Sequence, residues 1–191
     1  MKLIIASNNA HKLEEIRAIL GGAFEQILSL RESGIAHETV EDGASFAENA
    51  AKKAREIAEI SGCCALADDS GLCVDALGGA PGIFSARYAG VHGDDAANRK
   101  KLLRTLEGEE RRGAHFSCAV ALVYPDGRLV EAEGRVYGEI ARREAGENGF
   151  GYDSIFYLPE YGCTMAQLEA EKKNAISHRS NALHALLEKL K

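Results

Sequence analysis

The sequence has little of what marks several common classes of protein. It has no long basic run, and its net charge of −6 argues against a broad nucleic-acid surface, so no nucleic-acid partner is expected. It has no CxxC pair, and its five cysteines are an odd number, so neither a disulfide framework nor a zinc site is indicated. No apolar segment is long enough for a membrane span or a signal peptide, and we therefore expect a soluble cytoplasmic protein with no membrane partner.

What the sequence does contain is enough apolar material for one domain. A chain of 191 residues with 46% hydrophobic composition can bury a substantial core. Strand and helix patterns intermix along the whole length, and no internal repeat or low-complexity linker interrupts them. This mixture predicts an α/β (mixed α+β) fold with a mixed sheet, and we expect a single domain over residues 1–191.

The chain is organised around the stretch from Cys63 to Gly90. Its first apolar run, Cys63–Ala67, predicts a short buried strand that stops at two adjacent carboxylates, Asp68 and Asp69, followed by a turn at Ser70-Gly71. Two carboxylates at the end of a buried strand repel each other and lose hydration, and a divalent cation would compensate them. Alternatively, one aspartate caps a turn and the other faces water. The spacing alone does not decide between these interpretations.

The N-terminal segment has the pattern of a strand, a polar turn and a helix. Lys2–Ala6 predicts the strand, Ser7-Asn8-Asn9 the turn, and Ala10–Leu20 the helix. This arrangement directs free backbone N–H groups at an anion, which suggests phosphate binding. Lys12 lies in the first turn, where a cation is unfavourable to the helix dipole unless an anion is close. An ordinary capped surface helix with a solvated lysine is the alternative.

A second helix is predicted from Gly43 to Ile60. Ser45 and Glu48 have the spacing of a capping box at its start. Lys53 falls beside the apolar stripe of this helix, where a lysine needs a counter-charge. The alternative is that Lys53 extends along the apolar surface to the helix edge and keeps its ammonium group in water.

Two later segments carry candidate ligand contacts. Residues 146–153 form a glycine-rich loop with Phe150 and Tyr152, whose aromatic faces could stack on a nucleobase. Residues 172–179 concentrate basic side chains at the start of the last predicted helix, where they oppose the helix dipole and an anionic ligand would compensate them. A solvated loop is the alternative for this second segment.

Each motif is weak alone, but their combination resembles the inosine/xanthosine triphosphate pyrophosphatase family. The segments SNNAHK, SFAENAAKKA, ADDSGL with GGAPG, GFGYD and KKNAISHR occur in the order and spacing of that family, over nearly the whole chain. The resemblance implies an elongated twisted mixed β-sheet flanked by helices, in two lobes with an active-site cleft between them. It also implies hydrolysis of ITP, dITP and XTP at the α-phosphate to the monophosphate and pyrophosphate, with Mg²⁺ (Mn²⁺ as the alternative metal) in a homodimer.

The same resemblance implies roles for individual residues. Asp69 matches the catalytic aspartate, taken as the general base and a metal ligand, and Asp68 stands beside it as a second acid. Glu41 fits the other metal-associated acid, although some relatives carry that acid at the position of Val40. Lys53 is assigned to catalysis and, with Lys12 and Lys173, to the phosphates. The remaining substrate-binding residues are Ser7, Asn8, Asn9, Ala10, His11, Ser70, Phe150, Gly151, Tyr152, Asp153, His178 and Arg179.

Nucleobase selection is expected from Phe150–Asp153 together with His178 and Arg179. Arg179 is always protonated and can donate to a keto oxygen on C6, where adenine carries an amino group. Two other functions stay open at this point: a pyrophosphatase for other modified nucleotides, and a nucleotide-binding regulator that does not hydrolyse its ligand.

Overall fold

The computed structural model describes residues 1–191 except for the side chain of His11. Its strands are β1 (Lys2–Ile5), β2 (Gln26–Ser29), β3 (Cys64–Val74), β4 (Gly113–Val123), β5 (Leu129–Ile140), β6 (Phe156–Leu158) and β7 (Cys163–Thr164). Its α-helices are α1 (Ala10–Leu20), α2 (Phe46–Ser61), α3 (Asp95–Thr105), α4 (Ala170–Ile176) and α5 (His178–Leu190). None of these described helices combines the length and apolarity needed to cross a membrane.

The seven strands hydrogen-bond in one mixed sheet, in the order β2-β1-β3-β4-β5-β6-β7. Strand β1 runs parallel to both of its neighbours, and Leu3 is in register with Ile27 of β2 and Cys64 of β3. At the other edge, β6 runs antiparallel to β5 and β7. The predicted α/β class with a mixed sheet flanked by helices is therefore confirmed.

The chain forms two compact units. Unit 1 comprises residues 1–69, 118–134 and 178–191, and unit 2 comprises residues 70–117 and 135–177. Strands β3, β4 and β5 contribute residues to both units. The single domain over residues 1–191 and the active-site cleft stay predictions.

In unit 1 strands β1, β3 and β4 are buried on both faces, because alternate residues of each enter different cores. One core packs strand residues such as Ile5 and Leu66 against Ile16 of α1 and Leu183 of α5. The other packs Ile4, Ala65 and Ala67 against the small side chains of α2. Burial on both faces explains why these strands read as continuous apolar runs in the sequence.

Unit 2 has a separate core around Phe156. The ring of Phe156 is fully buried and lies 4.6 Å from the ring of Phe116, centroid to centroid. Leu102 of α3 and Met165 belong to the same core. Three-residue strand β6 is therefore held mainly by the packing of its aromatic side chain, and it brings the preceding loop, residues 146–153, onto this core.

The starts of α1 and α2 are set by side-chain caps. Asn9 Oδ1 accepts a hydrogen bond from Lys12 N (3.2 Å), and Ser45 Oγ accepts one from Glu48 N (3.1 Å). The Glu48 carboxylate, however, accepts from Ala44 N (2.8 Å), so the predicted reciprocal bond to Ser45 N is replaced. Helix α2 begins at Phe46 rather than at Gly43, because the cap at Ser45 leaves the preceding residues in the loop.

The largest difference from the sequence-based prediction lies in the central stretch. The predicted short strand and the predicted turn after it are parts of one continuous strand, β3, which runs through Asp68, Asp69, Ser70 and Gly71 without interruption. The prediction of a turn was wrong because a strand can bury charged residues where cations from other elements meet them. Further along the chain, a 3₁₀ turn at Met165–Gln167 precedes α4.

Candidate active site

Strand β3 directs its two neighbouring aspartates to opposite faces of the sheet. Side chains alternate along a strand, and Leu66 belongs to the core beside α1 and α5 whereas Ala67 belongs to the core beside α2. Asp68, two residues after Leu66, therefore lies on the face of α1 and α5, and Asp69, two residues after Ala67, lies on the face of α2. The two carboxylates therefore meet different helices and acquire different environments.

Asp68 is neutralised by two cations. Lys12 Nζ donates to both carboxylate oxygens (2.9 and 3.1 Å), and Arg179 Nε donates to Oδ2 (3.1 Å). Arg179 also donates from Nη1 to Glu15 (2.8 Å), and Asp68 and Arg179 are each only 4% exposed. Burial alone would raise the pKa of Asp68, but the charges of Lys12, Arg179 and Lys53 lower the pKa of this carboxyl well below its usual range. Asp68 therefore stays ionised.

Asp69 meets a different set of partners. Asn49 Nδ2 donates to its Oδ2 (2.9 Å), and Lys53 Nζ lies 3.9 Å from its Oδ1. Lys53 bonds more closely to Glu41 Oε1, at 2.9 Å. Burial raises the pKa of Asp69, and the neighbouring charge of Glu41 adds to this, while Lys53 and Asn49 oppose it. The counter-charge that the sequence required for Lys53 is thus supplied by two carboxylates.

Asn49 holds the surroundings of Asp69 together. Its side chain is 1% exposed, and besides donating to Asp69 it accepts from Gly43 N through Oδ1 (2.8 Å). A Cβ on Gly43 would lie 2.7 Å from that oxygen and 2.9 Å from the Cβ of Glu48, so glycine is required there. Asn49 therefore links α2, β3 and the loop that carries Glu41.

The N-terminal loop uses several of its polar groups locally. Ser7 Oγ accepts from Asn9 N (3.1 Å), and Asn8 Oδ1 accepts from Arg31 N (2.9 Å). Ala10 begins α1, as predicted, while the predicted role of the His11 side chain lies outside the described residues. The anion that Lys12 needs in the first turn of α1 is Asp68, a group of the protein itself.

In unit 2, the predicted nucleobase loop is held by Asp153. This buried carboxylate accepts from Phe150 N (2.9 Å) and from Lys173 Nζ (2.6 Å). The Lys173 ammonium also lies 4.7 Å from the centroid of the Phe150 ring, which is 48% exposed. Tyr152, by contrast, is 5% exposed, and its hydroxyl donates to Ser85 O (2.8 Å). Phe150 is therefore the aromatic ring of this loop that a ligand can reach.

These arrangements can be compared with those of known proteins. The model of the Ham1 family matches residues 3–189, which is nearly the whole chain. The chain belongs to the Ham1 family. The resemblance inferred from its motifs is thereby confirmed.

Relatives of this Ham1 chain include both sequences and solved structures. It is 51% identical to a dITP/XTP pyrophosphatase of Desulforamulus reducens, over 98% of this chain and 94% of that protein. It is similar to the Staphylococcus aureus Ham1 protein, with a TM-score of 0.91 and 42% identity over the full length of both chains. It is also similar to a nucleoside-triphosphatase / dITP/XTP pyrophosphatase from Mycobacterium abscessus, with a TM-score of 0.83 and 49% identity over both full chains.

The two units of the Ham1 chain divide the predicted site residues between them. Unit 1 brings together Lys12, Glu41, Lys53, Asp68, Asp69 and Arg179, and also holds Ser7–Ala10 and His178. Unit 2 brings together Phe150, Asp153 and Lys173, and also holds Ser70, Gly151 and Tyr152.

Sequence reasoning missed several residues that hold these groups in place. Asn49 has a weak signal, because it lies four residues before Lys53 on the same helix face, and Glu15 lies three residues after Lys12. Asp95 and Arg99 of α3 had no signal, since their partner Gly151 is far away in the chain.

Proposed function

We propose that the protein hydrolyses the deaminated purine nucleoside triphosphates ITP, dITP and XTP at the α-phosphate, releasing pyrophosphate and the monophosphate. Membership of the Ham1 family supports this proposal, as do the dITP/XTP pyrophosphatase names of its relatives. Water attacks the α-phosphorus, the bond from that phosphorus to the bridging oxygen breaks, and the bridging oxygen leaves with pyrophosphate.

The contrast between Asp68 and Asp69 is the observation that carries the proposal. Their pKa values are displaced in opposite directions, and such a pair separates a permanently charged group from one that can exchange a proton. A general base works best when its pKa is raised toward the working pH. Asp69 therefore takes the proton of the attacking water, and Asp68 keeps Lys12 and Arg179 in position.

The acidic groups in unit 1 fit a divalent cation. Asp69 and Glu41 both lie beside the Lys53 ammonium. The ion pairs of this part of the chain contain one more negative than positive group: the four carboxylates are Glu15, Glu41, Asp68 and Asp69, and the three cations are Lys12, Lys53 and Arg179. Among the described residues no group of three or more His, Cys, Asp or Glu side chains could hold a metal ion. Two carboxylates are nevertheless the protein contribution that Mg²⁺ commonly uses, with water and substrate phosphates as its other ligands.

We therefore assign Asp69 and Glu41 as the residues that would hold Mg²⁺, with Mn²⁺ as the alternative. When bound, the cation would neutralise phosphate charge and make the attacking water more acidic. The chain supplies Lys12, Lys53 and Lys173 for the remaining phosphate charge, and Ser7–Lys12 and Ser70 for further phosphate contacts. Displacement of Lys53 from Glu41 toward the phosphates would accompany binding, since an ammonium and a metal ion would otherwise compete for the same oxygens.

Nucleobase binding is assigned to the loop at Phe150 and to the start of α5. The exposed Phe150 ring offers a stacking face that any purine accepts. His178 and Arg179 provide donors for the C6 keto oxygen, and a donor left unpaired by adenine would lower turnover of ATP. Tyr152 contributes through the core of unit 2 rather than by stacking.

Two further features of the proposal rest on the family resemblance. We place the enzyme in the cytoplasm, where nucleoside triphosphates are found, and expect it to act as a homodimer. A regulator that binds nucleotides without hydrolysis is not favoured, because the similar proteins are named as pyrophosphatases.

The proposal is tested by measuring pyrophosphate and monophosphate release from ITP, XTP, GTP and ATP with Mg²⁺, with and without Asp69→Asn. We expect turnover of ITP and XTP to exceed that of ATP, and Asp69→Asn to lower kcat by about 10²–10⁴-fold, the usual contribution of a general base. Asp126→Asn, in the exposed hairpin turn, is the matched control and should leave kcat unchanged. Equal rates on ITP and ATP, or release of orthophosphate, would refute the proposal.

A further inference from the structure

Helix α3 holds both backbone groups of Gly151, which follows the exposed Phe150 ring. Asp95 Oδ2 accepts from Gly151 N (2.8 Å), and Arg99 Nη1 donates to Gly151 O (2.8 Å). Residues four apart lie on the same face of a helix, so one face of α3 grips both peptide units that flank Gly151. Gly151 has φ of +60°, a conformation that other residues rarely adopt, so the loop approaches α3 in a shape that glycine permits.

The Arg99 side chain is itself held by a second hydrogen bond. Arg99 Nε donates to Glu144 Oε2 (2.9 Å), and Ser154 Oγ donates to the same oxygen (3.1 Å). Glu144 thus connects the guanidinium to Ser154, which follows the loop in the chain. The guanidinium is planar and forked, so its bond to Glu144 also fixes the direction of its bond to Gly151.

The remaining anchors of the loop leave the Phe150 ring exposed. Asp153 accepts from Phe150 N, and the Tyr152 hydroxyl donates to Ser85 O, so the main chain before Gly151 and the side chain after it are both held. The Phe150 ring is the exposed large hydrophobic side chain of the loop. Stacking on a nucleobase depends on the orientation of that ring, and the peptide that follows it is fixed by α3.

We propose that Asp95 and Arg99 are positioning residues that orient the Phe150 ring for nucleobase binding. The inference rests on the proposed function for the identity of the ligand, a purine nucleoside triphosphate. Neither residue touches the ligand; both act through Gly151. Their loss weakens binding of the base, while the phosphate contacts and the chemical step are kept.

The kinetic test compares Asp95→Ala and Arg99→Met with the unaltered enzyme. We expect each to raise KM for ITP about tenfold, because each loses its charge-assisted hydrogen bond to Gly151, while kcat changes less than about threefold. Asp95→Asn keeps an oxygen that accepts from Gly151 N and should restore KM. Inorganic triphosphate, which has no base, should inhibit all variants with the same inhibition constant. Arg142→Met, which removes the exposed pair with Glu110, is the matched control.

A second measurement needs no turnover. The chain has no tryptophan, so Phe150→Trp introduces a single fluorescent reporter at the ring in question. Added to this background, Asp95→Ala and Arg99→Met should lower the anisotropy of the tryptophan and increase its quenching by acrylamide, whereas Asp95→Asn and Arg142→Met should not.

The two measurements separate the inference from the proposed function. If the unaltered enzyme does not hydrolyse ITP, the proposed function fails, and the tryptophan reporter still tests the grip on the loop. If the reporter is as ordered in Asp95→Ala and Arg99→Met as in the parent, the inference is overturned whatever the activity. An equal rise in KM for ITP and in the inhibition constant for triphosphate would also overturn it, because the effect would not then be specific to the base.

Discussion

Replacement of Asp68 by asparagine removes the negative charge on which two buried cations depend. Lys12 and Arg179 donate three hydrogen bonds to this carboxylate, whose side chain is 2% exposed. Asparagine preserves the volume but has one acceptor oxygen and no charge. Its amide nitrogen would have to point toward one of the cations, so at least one of the three bonds is lost.

The size of the expected loss in stability follows from the burial of Asp68 and its two cationic partners. Removing one partner of a buried ion pair costs about 3–5 kcal/mol, because the other charge stays desolvated. Arg179 keeps Glu15 as a partner, and we therefore expect the lower end, a loss of about 3 kcal/mol in the free energy of unfolding. For a chain of this length such a loss corresponds to a fall in Tm of roughly 6–12 °C.

The loss should also depend on pH. The pKa of Asp68 is lowered in the folded protein, so its contribution is fully present above the pKa of an unfolded aspartate and is lost as pH falls toward the folded pKa. At pH 3 the unfolded aspartate, with a pKa of about 3.9, is mostly protonated, which removes about 1.3 kcal/mol of the advantage over Asp68→Asn.

Urea unfolding followed by circular dichroism, in the presence of a chelator, measures both effects. Glu110→Gln is the control: Glu110 also pairs with an arginine, but its side chain is 81% exposed, so the cost should stay below about 1 kcal/mol. The reasoning is refuted if Asp68→Asn and Glu110→Gln lose the same free energy at pH 7, or if the difference between Asp68→Asn and the parent grows as pH falls.

Two other predictions concern the residues around the site. Asn49→Ser removes the hydrogen bond to Asp69. Because loss of a group that orients a metal ligand weakens metal binding, we expect the Mg²⁺ or Mn²⁺ concentration for half-maximal activity to rise at least about tenfold. Direct binding of Mn²⁺ without nucleotide should weaken in parallel. Asn98→Ser, at an equally buried asparagine bonded only to backbone groups among the described contacts, should leave both values unchanged. Gly134→Ala should lower the free energy of unfolding by about 1–3 kcal/mol, because a Cβ there overlaps the backbone of α5. Gly22→Ala is the control, since a Cβ there meets nothing within 4 Å among the described atoms. Its free energy of unfolding, measured in the same urea titration, should change little.

The elements with strong local signals were predictable. Helix α1 was predicted from Ala10 to Leu20 and is found at those bounds, because its apolar spacing and the glycines after it are local features. The turn between β4 and β5 lies at Pro125-Asp126-Gly127, residue types that favour turns, and Gly127 N donates to Tyr124 O (2.9 Å) there. Strand β3 was divided wrongly because local patterns treat adjacent aspartates as a break.

The contacts around the candidate site could be predicted only in part. Lys53 was expected to require a counter-charge, and it has Glu41 and Asp69. That Lys12 pairs with Asp68, 56 residues away, had no local signal. The same holds for the bonds between α3 and Gly151, which join residues 56 and 52 positions apart.

The sequence by itself determined the fold class, the family to which the chain belongs, and the set of charged side chains available for chemistry. Only the tertiary structure decided what each of them does. Alternation along a continuous strand sends Asp68 to the helices that carry Lys12 and Arg179, and sends Asp69 to the helix that carries Asn49 and Lys53. Because a pKa depends on burial and on the charges that packing brings within a few ångströms, two identical neighbouring residues acquire opposite properties.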